Sequence, residues 1–178
     1  MKIRQLCYTA LLAALTAVCS QLIIPTPWQV PISMSTLAVF LSGALLGAKW
    51  GTAAQAVYLL LGLVGVPVFS GMRGGFQVLA GPTGGYLIGY LAAAALTGAL
   101  ISCVRTRWMP PVAMVAGLAA CYAFGTAWFM ILNQTALGPA LSMCVLPYLP
   151  GDAIKIAVAS LITGRMGALR LAAATACT

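Results

Sequence analysis

Apolar runs long enough to cross a bilayer recur along the whole of this chain, and no other property of the sequence limits its fold so sharply. Hydrocarbon offers backbone N–H and C=O groups no partner, so a spanning segment must satisfy them within itself; runs of this length do so as helices. The composition agrees: 62% of residues are hydrophobic and 6% charged, against roughly 25% charged in a soluble domain. We therefore expect an all-α integral membrane protein. Pro25-Thr26-Pro27-Trp28 follows the first apolar run where a secretory leader would carry a small-x-small cleavage site, so that run reads as a retained first span.

Six spans fit, at about Leu6–Ile24, Ser35–Ala48, Gly51–Val66, Gly85–Val104, Val112–Asn133 and Gly151–Gly167, in a single transmembrane domain over residues 1–178. The second is short: about 14 residues rise only ~21 Å, less than the ~30 Å hydrocarbon core. With Pro25, Pro27 and Pro31 in the connection before it, it suggests backbone dipping into the membrane, which is tolerated only where it is buried in protein or lines a cavity.

The basic residues orient the molecule. Lys2, Arg4, Lys49, Arg105, Arg107, Arg165 and Arg170 all fall on one side of a six-span arrangement, so both termini are expected in the cytoplasm. Scattered singly between spans, they make the net charge of +8 a topology signal rather than a nucleic-acid footprint. Two cations break the pattern: Arg73, in the long outer loop between spans 3 and 4, and Lys155, in the outer turn of span 6. Exceptions to a topology rule are the first places to look for a ligand.

Lys155 stands three residues after Asp152, the only side-chain carboxylate in the chain, within Pro150-Gly151-Asp152-Ala153-Ile154-Lys155. At i and i+3 the two share a helix face. Asp152 alone could serve the helix dipole at about 0.3–1 kcal/mol, but a cation near the same N-terminus is mildly unfavourable. Placing charges at depth costs ~2.5–3.5 kcal/mol each, less near the interface. The structural gain is too small to account for the pair, which points to a ligand.

The outer loop from Gly65 to Tyr86 is rich in glycine, which lets backbone approach a ligand closely. No Gly-Lys-Ser/Thr follows those glycines and no Walker-type nucleotide site occurs in the chain, so any ATP-driven step belongs to another subunit. Phe69, Phe76, Val78 and Leu79 would be odd facing water, which argues that the loop turns inward. On span 5, Tyr122, Gly125 and Trp128 at i, i+3 and i+6 suggest a hollow between two aromatic walls. Span 1 carries Ala10, Ala13, Ala14 and Ala17, a small-residue stripe suited to close helix approach, either by a neighbouring span or by a partner.

Several classes drop away. The six cysteines show no C-x-x-C spacing and there is no histidine, so neither a metal site nor a cofactor is expected. General acid–base or covalent catalysis would lack paired groups. An autonomous secondary transporter using Asp152 as a proton carrier would rest on one acid with no relay.

Together these segments resemble the BioY family, the biotin-binding S components of energy-coupling factor (ECF) vitamin transporters. The resemblance is carried by Tyr58-Leu59-Leu60-Leu61-Gly62 leading to Gly65-Val66-Pro67-Val68-Phe69, by Gly74-Gly75, and by Gly81-Pro82-Thr83-Gly84-Gly85-Tyr86-Leu87. Tyr122-x-x-Gly125-x-x-Trp128 and Pro150-Gly151-Asp152-x-x-Lys155 complete it. It implies a six-helix subunit in a bacterial or archaeal cell membrane that captures biotin from outside with high affinity, and works with a transmembrane T component and two cytoplasmic ATPases. The alanine stripe then looks like the T-component contact. Asp152 and Lys155 would meet the ureido ring, with Lys155, Arg73 or the loop backbone at Gly74, Gly75 and Thr83 receiving the tail carboxylate. Phe69, Tyr86, Tyr122 and Trp128 would supply apolar walls. Where the family often has Pro-x-Thr-x-Gln after the first outer loop, this chain has Pro31-Ile32-Ser33-Met34-Ser35, so Ser35 replaces the amide.

Overall fold

A computed structural model describes residues 3–24, 32–104 and 108–165. In chain order the elements are α1 (Ile3–Gln21), β1 (Ile23–Ile24), β2 (Ile32–Ser33), α2 (Ser35–Leu63), α3 (Phe76–Ala80), α4 (Gly84–Cys103), α5 (Met109–Asn133), α6 (Leu137–Cys144) and α7 (Leu149–Arg165). Apart from the two-residue antiparallel pair β1–β2, with Ile23 opposite Ser33, the described architecture is helical. Four helices, α1, α2, α4 and α5, are long and apolar enough to cross a membrane, and α6 with α7, bent by 52° at their junction, makes a fifth candidate. Large apolar side chains such as Leu11, Ile131 and Leu161 stand exposed on the outer faces of α1, α5 and α7, as lipid-facing residues do.

The expected spans 2 and 3 are the two arms of α2. Gly47 interrupts the helix at φ 76°, ψ −179°, a region essentially restricted to glycine, and the chain reverses there. A Cβ on Gly51 would lie 2.7 Å from the Ser42 carbonyl oxygen, so the arms touch backbone to backbone. Gln55, fully buried, donates from Nε2 to Ser42 Oγ at 2.9 Å and to Thr16 Oγ1 at 3.2 Å, tying both arms to α1. Small residues set the remaining interfaces. Gly43 meets the backbone of Ala94 on α4, and Gly89 on α4 meets that of Cys121 on α5, so α4 packs between α2 and α5 without bulky side chains holding them apart.

Local sequence explains the ends. Pro110 and Pro111 sit at the start of α5, where a missing N–H costs nothing, and the helix closes on Gln134 in the left-handed conformation. The helix expected as span 6, α7, begins earlier than expected, at Leu149, and is preceded by the short helix α6 where the sequence reads as a loop. The prolines expected to dip before span 2 lie outside the described residues, as do Lys2, Arg105, Arg107 and Arg170.

The glycine-rich loop between α2 and α4 does turn inward, but selectively. Phe69 is 1% exposed and meets Tyr58 edge-on at 5.6 Å between ring centroids. Val78 and Leu79 pack on the core, whereas Phe76 is 71% exposed. One turn of α3 has two faces, and Phe76 occupies the one directed away from the core.

Candidate functional site

A cavity of about 520 Å³ opens between the ends of α2, α4, α5 and α7 under the loop that joins α2 to α4, within the roughly 300–1,000 Å³ range typical of small-molecule sites. Of the residues singled out in the sequence, Asp152, Lys155, Arg73, Phe69, Thr83, Tyr86 and Tyr122 line it.

The floor is the Asp152–Lys155 pair. On the first turns of α7 their spacing places Lys155 Nζ 2.8 Å from Asp152 Oδ1, with both side chains buried. Lys155 also donates to the Ser33 carbonyl at 2.6 Å and to Thr36 Oγ1 at 3.2 Å, so its three N–H groups have three acceptors. Thr36 passes its own hydroxyl proton toward Asp152 Oδ1 at 3.3 Å, and the Tyr122 hydroxyl donates to Oδ2. A desolvated ion pair is tolerable when its remaining hydrogen-bonding capacity is filled in this way. The result is a neutral floor with a carboxylate and an ammonium side by side.

At the mouth the chemistry differs. Arg73 is exposed, lines the cavity, and has no side-chain hydrogen-bond or ion-pair partner among the described residues. With the floor neutral, Arg73 gives the cavity a positive end. Between floor and mouth stand aromatic walls from Tyr86 and Tyr90 on α4, Tyr122 on α5, Phe69 in the loop, and Tyr148. Such a site suits an elongated molecule with a flat polar head, an apolar middle and an anionic tail.

Four of the expected residues lie behind the lining rather than in it. Ser35 is buried, its Oγ 2.6 Å from both Ser33 Oγ and the Tyr90 hydroxyl, and so holds the wall in place. Gly74 lies against the Gly65 and Val66 carbonyls with no room for a Cβ, while Gly75, at φ 93°, donates its N–H to the Gly62 carbonyl at 2.7 Å. Both shape the loop. Trp128 packs on Gly85 and donates its indole N–H to the Gly81 carbonyl at 3.1 Å, fixing the Gly-Pro-Thr-Gly-Gly segment. The hollow expected at Gly125 is filled by the Tyr86 ring, whose hydroxyl donates to the Cys144 carbonyl at 3.3 Å.

The alanine stripe on α1 is divided. Ala13 is 2% exposed and Ala17 packs on the core, whereas Ala10 and Ala14 are exposed. The stripe is broad enough for its two edges to face opposite ways.

Sequence reasoning missed Thr36, Ser33, Tyr90 and Tyr148. Tyr90 follows Tyr86 by four residues and Tyr148 precedes Asp152 by four, so helical spacing could have found them. Nothing local marks Thr36, which meets Asp152 from 116 residues away.

A mostly apolar cavity, open at its mouth and floored by a buried ion pair, set at one end of a bundle of apolar helices, defines a membrane protein that binds a small molecule. Residues 1–171 match the BioY family. The Biotin transporter BioY of Thermotoga maritima is 39% identical over 170 residues, spanning 94% of this chain and 98% of that relative. The Biotin transporter BioY of Rhodobacter capsulatus is 36% identical over 154 residues, covering 78% and 80%. Among solved structures, the crystal structure of the S-component for biotin from an ECF-type ABC transporter superposes with a TM-score of 0.86 at 28% identity, covering 93% of this chain and 91% of that one. The chain belongs to the BioY family.

Proposed function

We propose that this protein is the biotin-binding membrane subunit of an ATP-driven ECF-type importer, taking biotin from the outer face of the cell membrane with high affinity. The observation that carries the reading is the buried Asp152–Lys155 pair on the cavity floor. A ureido ring offers two N–H donors beside one strongly accepting oxygen. Asp152 receives the donors on its remaining lone pairs, and Lys155 gives a hydrogen bond to the oxygen by exchanging its 3.2 Å bond to Thr36 for it, while the aromatic walls hold the thiophane ring and aliphatic chain. Arg73, the unpaired cation at the mouth, meets the tail carboxylate. Biotin is carried, not converted, and no cofactor takes part.

Counting the arms of α2 separately and α6 with α7 as one broken span gives six crossings, with both termini in the cytoplasm. Three exposed cations support this orientation, because each lies on the end of its element away from the cavity: Arg4 at the start of α1, Lys49 beside the Gly47 reversal, and Arg165 in the last turn of α7. Ala10 and Ala14, on the outward edge of α1, form the contact for a T component, and ATP is hydrolysed on two separate cytoplasmic subunits.

Equilibrium binding of biotin to the purified protein in detergent, without partners, tests the reading. Wild type binds tightly; Asp152→Asn and Lys155→Ala, shown to be folded, lose ~2 kcal/mol or more as a buried polar group is left unpaired. Absence of binding by folded wild type overturns the ligand, and unchanged binding by the variants overturns the site.

A further inference from the structure

The loop that roofs the cavity is held down from one side by a residue that takes no part in the lining. Gln21 is the last residue of α1, and its side-chain amide lies across the turn formed by residues 69–73. Nε2 donates to the Phe69 carbonyl at 3.2 Å and, more weakly, to the Pro67 carbonyl at 3.4 Å, while Oε1 accepts the Met72 N–H at 3.0 Å. Beside it, Ser20 Oγ donates to the Val68 carbonyl. The turn is closed on itself by paired backbone bonds between Phe69 and Arg73, at 2.9 and 3.3 Å. It contains two positive-φ residues, Gly71 and Met72. Met72 at φ 58° is a conformation costly for a side chain outside glycine and asparagine, so it needs support from its surroundings. Gln21 supplies that support by acting as an extra peptide unit, its acceptor matched to the Met72 N–H and its donor to the second lone pair of the Phe69 carbonyl, which already accepts the Arg73 N–H.

The turn carries Phe69, which plugs the cavity against Tyr58, and Arg73, its cationic mouth. We propose that Gln21 is a positioning residue that latches this turn over the cavity and thereby sets how fast ligand enters and leaves. The inference rests on the proposed binding role, but the latch itself is testable without ligand. Ser20 and Gln21 also continue the helix that bears Ala10 and Ala14, so a partner seated on α1 has a direct mechanical connection to the roof.

The test uses Cys144, buried in the cavity wall, as a reporter in full-length protein whose other cysteines are replaced by serine or alanine. In detergent, labelling of Cys144 by a charged maleimide is slow while the roof is latched. Gln21→Leu removes every amide contact and Gln21→Glu keeps only the acceptor for Met72. Both are expected to raise the labelling rate roughly tenfold, the scale for losing two partly exposed hydrogen bonds. Biotin association and dissociation rates should rise together, leaving affinity nearly unchanged. Labelling at the wild-type rate in a folded variant overturns the latch whatever the ligand proves to be. Faster labelling with no biotin binding by wild type keeps the latch and rejects biotin. Loss of affinity through dissociation alone, with labelling unchanged, assigns Gln21 to ligand contact and also overturns it.

Discussion

Removing both charges from the cavity floor should cost little more than removing one. In Lys155→Met the Asp152 carboxylate keeps the Thr36 and Tyr122 hydroxyls but loses its ammonium, and the Ser33 carbonyl loses its donor. In Asp152→Leu the ammonium keeps Ser33 and Thr36 but not its counter-ion. Breaking a buried pair costs about 3–5 kcal/mol, and the surviving hydrogen bonds put each single change near the low end. The double variant buries no charge; it leaves the Tyr122 and Thr36 hydroxyls and the Ser33 carbonyl without these partners, for about 3 kcal/mol in all. It should therefore fall short of the additive expectation by about 3 kcal/mol. Unfolding by SDS in mixed micelles, followed by tryptophan fluorescence without ligand, measures all four corners of the cycle. Additivity within about 0.5 kcal/mol would refute the geometry, since it would mean that the two charges do not meet in the folded protein.

Arg73→Gln should weaken biotin by roughly five- to tenfold, the ~1 kcal/mol of an exposed ion pair, while leaving the methyl ester of biotin unaffected. Equal losses for acid and ester in a titration would exclude a role at the tail. Gly47→Ala forces a side chain into the conformation that reverses α2 and should cost about 1–3 kcal/mol of stability, read from the same SDS titration; an unchanged midpoint would remove Gly47 as the origin of the reversal.

Local patterns were legible and distant ones were not. Asp152 and Lys155 lie one helical turn apart, so their meeting follows from sequence spacing alone, and Arg73 stood out as a cation in the wrong place. The partners that satisfy the pair come from the start of α2 and from α5, and no spacing rule reaches across such separations. The Tyr122-Gly125-Trp128 pattern shows why a helix face is not yet a site. A glycine between aromatics marks a hollow, but the sequence does not reveal that Tyr86 from the neighbouring helix fills it, nor that Trp128 serves the loop. The short helix α6 was hidden by Gly138, Pro139 and Pro147, which read as turn residues although Pro139 falls in the first turn of the helix, where it is tolerated.

Because the only side-chain carboxylate is committed to Lys155, each of the other eight cations must find its counter-charge outside the chain's own side chains. For those at the end away from the cavity, such as Arg4, Lys49 and Arg165, anionic lipid headgroups can supply it at about 1 kcal/mol per residue, so the protein's hold on its bilayer should strengthen with acidic lipid. Arg73 sits at the opposite end, with no side-chain partner among the described residues. In the proposed role a negatively charged visitor would neutralise it, and that exposed charge would become a form of selection for acids among otherwise similar rings.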